Sequence, residues 1–362
     1  MYEKIPWIIL VFSLDFDDIY LLNRKRFFND IPDLKWNDWG WQCQNTIKNS
    51  GLLLKLAGIT DKYDSSFETN FAVTPHLSCL IDYEKIGYNN SKLKISDPIA
   101  RQVIPGIKEY NDHSDNETDP FSEYKTSPLA GCIRRYKDRL LVLPTNKCAS
   151  YCRYCTRKWN WDRNFMMKKK DIANIKKYLN ANPDIREIII SGGDPLLLSA
   201  TFLDELIYEI RKVNTIEAVR IATRLLSFLP QKIDDDMASV IKKYKPIWVI
   251  THFNHHREIT PLTSEAVERL LLSGACLANQ TVMLKGVNDD YDALKKLFYS
   301  LESIGIKPYY IFHCDPIKGT SHFNVPVEKG KKVMNRLRKN ISGLCLPLYV
   351  MDMPGKGKTP IC

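Results

Sequence analysis

From residue 139 onward, short apolar runs alternate with segments of helical periodicity. Six runs rich in β-branched residues are predicted to be strands: 139–145, 187–191, 218–224, 247–253, 278–284 and 307–314. A further apolar run covers residues 346–352. Between them, residues 201–213 and 292–303 carry apolar side chains at i, i+3, i+4 and i+7, as amphipathic helices do. This alternation predicts parallel strands joined by right-handed helical crossovers.

About six such strand–helix units indicate an α/β protein with a partial (β/α)6-type, TIM-like barrel. A doubly wound sheet is the competing arrangement, because periodicity alone does not separate the two. Upstream, helix-like stretches, several prolines and a polar loop at 111–119 differ from the rest of the chain. We therefore predict a helical N-terminal cap over residues 1–138 and a barrel core over residues 139–362.

Composition narrows the class of protein. The 362 residues are 44% hydrophobic and 26% charged, as in soluble globular proteins and unlike disordered or collagen-like chains. The net charge is +10, but Lys and Arg are interleaved with acidic residues, so no nucleic-acid partner is expected. The longest early apolar run, residues 7–12, is too short for a membrane span or a signal peptide. We expect no membrane partner and a cytoplasmic location.

Three of the ten cysteines form a cluster, Cys148, Cys152 and Cys155, directly after the first predicted strand of the core. Their spacing is C-x3-C-x2-C, and three thiolates on a four-iron cluster leave one iron with an open coordination position. A structural zinc or an electron-transfer cluster requires four ligands. The triplet therefore favours a [4Fe-4S] cluster that performs chemistry. The alternative is a zinc site with His113 or Cys132 as a distant fourth ligand.

The triplet, in this position, resembles that of the radical S-adenosylmethionine (SAM) superfamily. In that superfamily a short glycine turn after the next strand meets the methionine amino group of SAM. Ser191, Gly192, Gly193 and Asp194 stand at the corresponding place. The resemblance implies that the three cysteines hold the cluster and that this turn contacts SAM.

Further motifs resemble those of the lysine 2,3-aminomutases, in the same order along the chain from about Trp36 to Pro360. They are residues 36–42, 97–99, 102–105, 136–139, 155–157, 191–196, 229–231, 251–260, 279–280, 286–289 and 308–311. The resemblance implies an isomerase that moves the 2-amino group of L-lysine to C3 and gives β-lysine. It also implies pyridoxal 5′-phosphate (PLP) as a third cofactor, and it adds His252, Asn254 and Gln280 to the cofactor-binding residues.

The same resemblance assigns residues to PLP. The family carries PLP as a Schiff base on a lysine in a Gly-rich turn, which matches Lys358, the predicted catalytic residue. Lys356 is the alternative, because the turn is one residue shorter than usual and the register can shift. Arg135 and Arg139 are assigned to the PLP phosphate, and Tyr136 is assigned to a place near the ring.

Three residues are assigned to the substrate. Arg157 would bind the α-carboxylate, for which a guanidinium fork is well suited. Asp315 and Asp352 would bind the side-chain ammonium, whereas a glutamate-specific relative would need cationic or neutral groups there. L-Lysine is therefore the predicted substrate. The family also implies an electron donor such as flavodoxin or ferredoxin, and it allows a homo-oligomer.

The sequence departs from the family in ways that keep two alternatives open. It ends at Cys362, where the family continues with a tail that bears structural-zinc cysteines, and Phe312 and His313 replace the usual Tyr-Gln. One alternative is the related branch that serves modification of elongation factor P, which ends equally early but usually has Phe in place of Thr156 and lacks an acid at position 352. The other is a truncated, non-catalytic iron–sulfur or metal-binding relative.

Overall fold

The computed structural model describes residues 14–56, 58–59, 70–89, 92–162, 164–353 and 356–362. The apolar run 7–12, on which the expectations about membrane and export depend, lies outside the described residues. So do Pro354 and Gly355 of the Gly-rich turn. Among the helices that are described, none is both long enough and apolar enough to cross a membrane.

The N-terminal region consists of short helices and one antiparallel hairpin. The helices are α1 (Leu14–Phe28), α2 (Asp33–Trp36), α3 (Trp39–Gln44), α4 (Ser50–Leu56), α5 (Pro75–Cys79), α6 (Pro98–Val103) and α7 (Ile107–Tyr110). The hairpin pairs β1 (Ile86–Asn89) with β2 (Lys92–Ile95). The expected cap is therefore mostly helical but contains a small sheet.

Nine further strands form one sheet whose spatial order is the order along the chain. They are β3 (Cys132–Tyr136), β4 (Arg139–Thr145), β5 (Glu187–Gly192), β6 (Ala218–Ala222), β7 (Ile247–Thr251), β8 (Ala275–Met283), β9 (Lys307–His313), β10 (Leu348–Met353) and β11 (Gly357–Pro360). Strands β4 to β10 are parallel, whereas β3 and β11 run antiparallel to their neighbours at the two edges.

Helices connect the parallel strands in six successive crossovers. They are α8 (Lys169–Ala181), α9 (Ala200–Arg211), α10 (Leu225–Phe228), α11 (Asp235–Lys243), α12 (Pro261–Leu272), α13 (Tyr291–Ser303) and α14 (Val327–Asn340). In α9, the predicted apolar positions Leu203, Leu206, Ile207 and Ile210 are all buried. Because the strand order never reverses, the partial (β/α)6-type barrel is confirmed and the doubly wound alternative is wrong.

The six predicted strands are present as β4 to β9 and differ only at their ends, and the further apolar run at 346–352 forms β10. The sequence did not reveal β3 and β11, because Arg-Arg in one and Gly and Pro in the other are poor indicators of a strand. Strand β3 precedes residue 139, so the sheet begins inside the region expected to be the cap. The division at residue 138 stays a prediction.

Candidate active site

The three clustered cysteines lie in the loop after β4 and line one cavity of about 190 Å³. Burial, followed by the neighbouring charges, raises the pKa of the Cys148 thiol, and burial with the charge of Cys152 raises that of Cys155. Cys148 and Cys155 therefore lie in a site that disfavours their free thiolates. A positively charged group that binds thiolates, such as an iron–sulfur cluster, relieves this cost.

The alternative zinc ligands do not join the triplet. His113 is exposed, Cys132 lies in the hydrophobic core, and neither lines the cavity. Within the described part of the chain, no three His, Cys, Asp or Glu side chains converge as they would around a single metal ion. The three thiols share one cavity but do not converge on a single ion position. This arrangement fits a group larger than one metal ion, such as a four-iron cluster.

The glycine turn after β5 packs tightly against the cysteine loop. The Gly193 amide donates to the Thr145 carbonyl at 2.7 Å, and a Cβ on Gly193 would lie 2.1 Å from the Lys147 carbonyl oxygen. Gly192 has φ +110° and equally little room, so only glycine suits this approach. Ser191, Gly192 and Gly193 line the same cavity as the cysteines, which agrees with the predicted contact to SAM.

Asp194 lines this cavity too, but its carboxylate is bound by the protein itself. The Thr223 hydroxyl donates to it at 2.7 Å, and the amides of Arg224 and Leu196 donate at 2.8 and 3.1 Å. Burial raises its pKa to about 6 despite these donors. In this structure Asp194 joins the loops after β5 and β6, and its predicted contact to a cofactor stays a prediction.

The three polar residues expected near SAM separate into two groups. His252 and Gln280 line the cavity, and burial with the charge of Arg224 lowers the pKa of His252 to about 3, so this imidazole is neutral. Asn254 lies behind the wall. Its side-chain NH2 group donates to the Tyr154 hydroxyl at 2.6 Å, and its side-chain oxygen Oδ1 accepts from the Val282 backbone amide at 2.8 Å.

Strand β11 carries Lys358, which is not among the residues that line the cysteine cavity. The register of the β10–β11 pair sets Lys358 directly opposite Asp352. Its ammonium lies 4.8 Å from the ring centre of Tyr310 and 5.5 Å from that of Phe312. Burial and the charge of Arg220 lower the pKa of Lys358 to about 8. A lysine with a lowered pKa beside aromatic rings can act as a nucleophile towards an aldehyde.

The surroundings of Lys358 fit PLP. The Tyr136 hydroxyl is buried and has no hydrogen-bond partner among the described residues. Gly357, at φ +68°, lies so close that a Cβ there would be 2.9 Å from this hydroxyl. Arg139 lies 4.5 Å from the Tyr136 ring centre while it pairs with Asp138 at 2.9 Å. Lys356, the alternative attachment point, is exposed, so the geometry favours Lys358.

Two residues assigned to different ligands are bound to each other. The guanidinium of Arg135 donates to both carboxylate oxygens of Asp352, at 2.9 and 3.1 Å. Arg135 also lies 4.4 Å from the ring centre of Phe121. The predicted phosphate contact of Arg135 and the predicted ammonium contact of Asp352 therefore each require this ion pair to open or to share its partner.

Arg157 has a partner that the sequence analysis missed. Its Nε and Nη2 atoms donate to the carboxylate of the buried Glu123, at 2.8 and 2.7 Å. This pair occupies one edge of the guanidinium, whereas a substrate carboxylate can also be bound at the edge formed by the two Nη atoms. The predicted role of Arg157 is compatible with this geometry, and Glu123 fixes the orientation of the fork.

Asp315 lies on the cavity wall with the cysteines. Its Oδ1 atom is buried without a hydrogen-bond partner among the described residues. Burial and the negative charge of Asp352 raise its pKa to about 7. The two aspartates predicted to bind an ammonium are therefore close enough to influence each other, and one of them still lacks a cationic partner.

Arg220 and Arg224 also escaped the sequence analysis, although both belong to the site. Arg220 pairs with Glu187 and acts on Lys358 through its charge. Arg224 donates to the sulfur of Cys152 at 2.9 Å. The position of Arg224 at the carboxyl end of a predicted strand is the signal that could have revealed it, because barrel chemistry gathers at the carboxyl ends of strands.

Comparisons with known proteins give the family of the chain. Residues 142–298 match the Radical SAM superfamily. An L-lysine 2,3-aminomutase of Fusobacterium nucleatum is 37% identical over 93% of this chain and 79% of that protein. An L-lysine 2,3-aminomutase of Methanococcus maripaludis is 38% identical over 95% of this chain and 80% of that protein. A glutamate 2,3-aminomutase of Clostridioides difficile is 39% identical over 90% of this chain and 76% of that protein.

Proposed function

The chain belongs to the lysine 2,3-aminomutase family of radical SAM enzymes, and from this premise we propose that it converts L-lysine to β-lysine. As a member of this family it is an isomerase that uses a [4Fe-4S] cluster, SAM and PLP. Relatives named for lysine and for glutamate are about equally similar to it. The choice of substrate therefore has to come from the residues of the site.

The observation that carries the choice of lysine is the buried Oδ1 atom of Asp315, which accepts from no hydrogen-bond donor among the described residues and lies near the charge of Asp352. A lysine ammonium would supply the missing positive charge to a buried carboxylate, which is costly to ionise alone. A glutamate side chain would add another carboxylate to the same space and repel both aspartates. Thr156 and Asp352 also favour the branch that acts on free lysine over the branch that serves elongation factor P.

We propose roles for the side chains accordingly. Cys148, Cys152 and Cys155 would bind the cluster, with the turn at 191–193 and Gln280 against SAM. When bound, the cluster and SAM supply radical chemistry, and PLP supplies the aldehyde that holds the substrate amine. Lys358 is the proposed attachment point, because a lysine with a pKa near 8 is readily deprotonated.

The remaining residues would hold the amino acid at both ends. Arg157, oriented by Glu123, would bind the α-carboxylate, while Asp315 and Asp352 would bind the side-chain ammonium. Fixing both ends of a flexible substrate removes its conformational freedom before reaction. The neutral His252 offers no positive charge to the substrate. An external electron donor such as flavodoxin or ferredoxin remains part of the proposal.

The test is anaerobic incubation of the reconstituted protein with SAM, PLP, dithionite and one amino acid at a time. We expect β-lysine from L-lysine, detected by chromatography with mass spectrometry, and far slower turnover of glutamate, arginine and ornithine. Preferred turnover of glutamate would contradict the substrate assignment. A protein that takes up iron but never binds PLP would instead support the non-catalytic alternative.

A further inference from the structure

A buried polar network is centred on Arg224, which lines the cavity together with the cysteines and lies outside the contacts described for substrate and PLP. The Nη1 atom of Arg224 donates to the sulfur of Cys152 at 2.9 Å. The Nη2 atom of Arg224 donates to Glu258 at 3.0 Å and also to the side-chain carbonyl of Gln102. Arg224, Glu258 and Gln102 are 8%, 1% and 1% exposed, so water does not screen these charges.

The guanidinium is held in a fixed position from several sides. The other oxygen of Glu258 accepts the amides of Asn254 and His255 at 3.0 and 2.9 Å. The Ser227 hydroxyl donates to Glu258 at 2.7 Å. The guanidinium itself lies 4.4 Å from the ring centre of Phe228. Since Glu258 cannot turn away, Arg224 keeps its positive edge towards the Cys152 sulfur.

The N-terminal region takes part in this arrangement through α6. The side-chain amide of Gln102 donates to Glu258 at 3.2 Å. The backbone carbonyl of Gln102 accepts from the amide of Arg153, the residue after Cys152, at 2.8 Å. The sequence motif at residues 102–105, for which the sequence analysis offered no role, therefore fixes both the cysteine loop and the arginine that faces it.

We propose that Arg224 is a positioning residue that orients Cys152 and raises the reduction potential of the iron–sulfur cluster. A reduced cluster carries one more negative charge than the oxidised cluster. A hydrogen bond and a positive charge at a ligand sulfur stabilise the reduced form more, which moves the potential upward. Glu258 lies on the far side of the guanidinium and opposes this effect. The inference rests on the proposed assignment of the three cysteines as cluster ligands.

The experiment compares midpoint potentials of the reconstituted cluster, measured by anaerobic redox titration with electron paramagnetic resonance and without SAM or substrate. We expect Arg224→Gln to lower the potential relative to the wild type, because the charge next to Cys152 is lost. We expect Glu258→Gln to raise it, because the opposing anion is lost. Arg186→Gln, which removes an exposed arginine paired with Glu217, should leave the potential unchanged.

Opposite shifts in the two buried variants distinguish a role in setting the potential from a merely structural role. Should Arg224→Gln fail to take up iron, Arg224→Lys keeps the charge but not the fork. Its midpoint potential should fall below that of the wild type, because the fork that holds the hydrogen bond to Cys152 is lost. The midpoint potential of Glu258→Gln should still rise. Equal potentials, or shifts of the same sign, in iron-loaded variants would overturn the inference alone. A wild-type protein that binds no cluster would overturn the proposed function together with it.

Discussion

At the residue scale, Asp315 has the most unusual electrostatic surroundings among the residues assigned to the substrate. It is a carboxylate with a buried, unpartnered oxygen and an acidic neighbour, Asp352. These surroundings hold its pKa near 7, so it ionises fully only when pH rises further or a cation binds. A carboxyl group in such surroundings loses its proton more readily when an ammonium group binds beside it.

The pH dependence of substrate binding follows from this pKa. Below pH 7, Asp315 is mostly neutral, whereas above pH 7 it is ionised and attracts the ammonium. We expect the KM for lysine to fall by up to about tenfold per pH unit as pH rises towards 7, and to level off above it. Steady-state kinetics between pH 6 and 8 would measure this. A KM that rises with pH over this range would contradict the assignment.

Replacing Asp315 by Asn should remove both the affinity and its dependence on pH. The loss of one partner of a buried charge pair costs roughly 2–5 kcal/mol, or at least about 30-fold in kcat/KM for lysine. PLP attachment should persist, since Lys358 is unchanged. The measurement is kcat/KM for Asp315→Asn beside the wild type at three pH values. A variant with wild-type kinetics would show that the ammonium binds elsewhere.

Lys358 and its neighbour Lys356 offer a matched pair of variants. Lys358→Ala should abolish covalent attachment of PLP, because its ammonium is buried over aromatic rings, has a pKa of about 8 and lies opposite Asp352. Lys356→Ala should retain attachment, because that side chain is exposed. Borohydride reduction followed by mass spectrometry of peptides measures attachment directly. The reverse result would move the register of the turn by two residues.

At the scale of single elements, the sequence predicted the buried central strands but not the edge strands. Parallel strands covered on both faces are continuous apolar runs, as in β5, where Ile188 and Ile190 are fully buried. The edge strands carry no such pattern, because one of their sides faces no further strand. Strand β11, which delivers Lys358, was therefore missed as an element although its lysine was identified by resemblance. Its pairing with β10 is a tertiary event.

The glycine turn after β5 provides a prediction at this scale. A Cβ at position 193 would lie 2.1 Å from the Lys147 carbonyl, so Gly193→Ala should force the turn and the cysteine loop apart. We expect a loss of about 1–3 kcal/mol in the free energy of unfolding, together with lower iron content. Denaturant unfolding and iron analysis of the reconstituted protein provide the measurement.

Gly106→Ala is the matched control for this substitution. An added Cβ at Gly106 meets nothing within 4 Å, and its φ of −133° suits any residue. Its stability and iron content should equal those of the wild type. If Gly193→Ala and Gly106→Ala behaved alike, the close approach of the two loops would not be what holds the site together.

At the scale of the whole molecule, buried ion pairs join the N-terminal region to the sheet. Glu109 of α7 accepts from Arg153 of the cysteine loop at 2.8 Å and from Lys158 at 2.7 Å. Although burial alone would raise it, these two cations hold the pKa of Glu109 below its usual value. Arg257 pairs with the buried Asp97 at 2.6 Å, but here burial outweighs the cation and raises the pKa of the carboxyl group. Charged side chains of the N-terminal region therefore neutralise charged side chains in the loops around the site.

This coupling predicts a large effect from one distant substitution. Glu109→Gln removes the carboxylate charge that faces the guanidinium of Arg153, whose side chain is 1% exposed. We expect a loss of roughly 3–5 kcal/mol in the free energy of unfolding, as for other broken buried ion pairs. Glu217→Gln, at an exposed pair with Arg186, should cost far less, because water screens exposed ion pairs. Urea denaturation of both variants tests the contrast, and equal losses would contradict it.

The sequence by itself determined the strand–helix alternation, the cysteine triplet, the glycine turn and the two acidic positions, because each depends on residues close together in the chain or on a family pattern. The resemblance also assigned roles to Lys358 and Arg157 without any geometry, and these roles stay predictions. These features require only local spacing and side-chain type. They were sufficient to indicate the fold class, the family and the cofactors.

Only the tertiary structure decided which charged groups meet. The pairing of Arg157 with Glu123, of Arg135 with Asp352 and of Arg224 with Cys152 joins residues from 34 to 217 positions apart. Burial at these contacts sets which carboxylate lacks a partner and how far each pKa moves, and that depends on every neighbouring element. A one-dimensional pattern does not contain this information, because charge interactions depend on distance in space and on the exclusion of water.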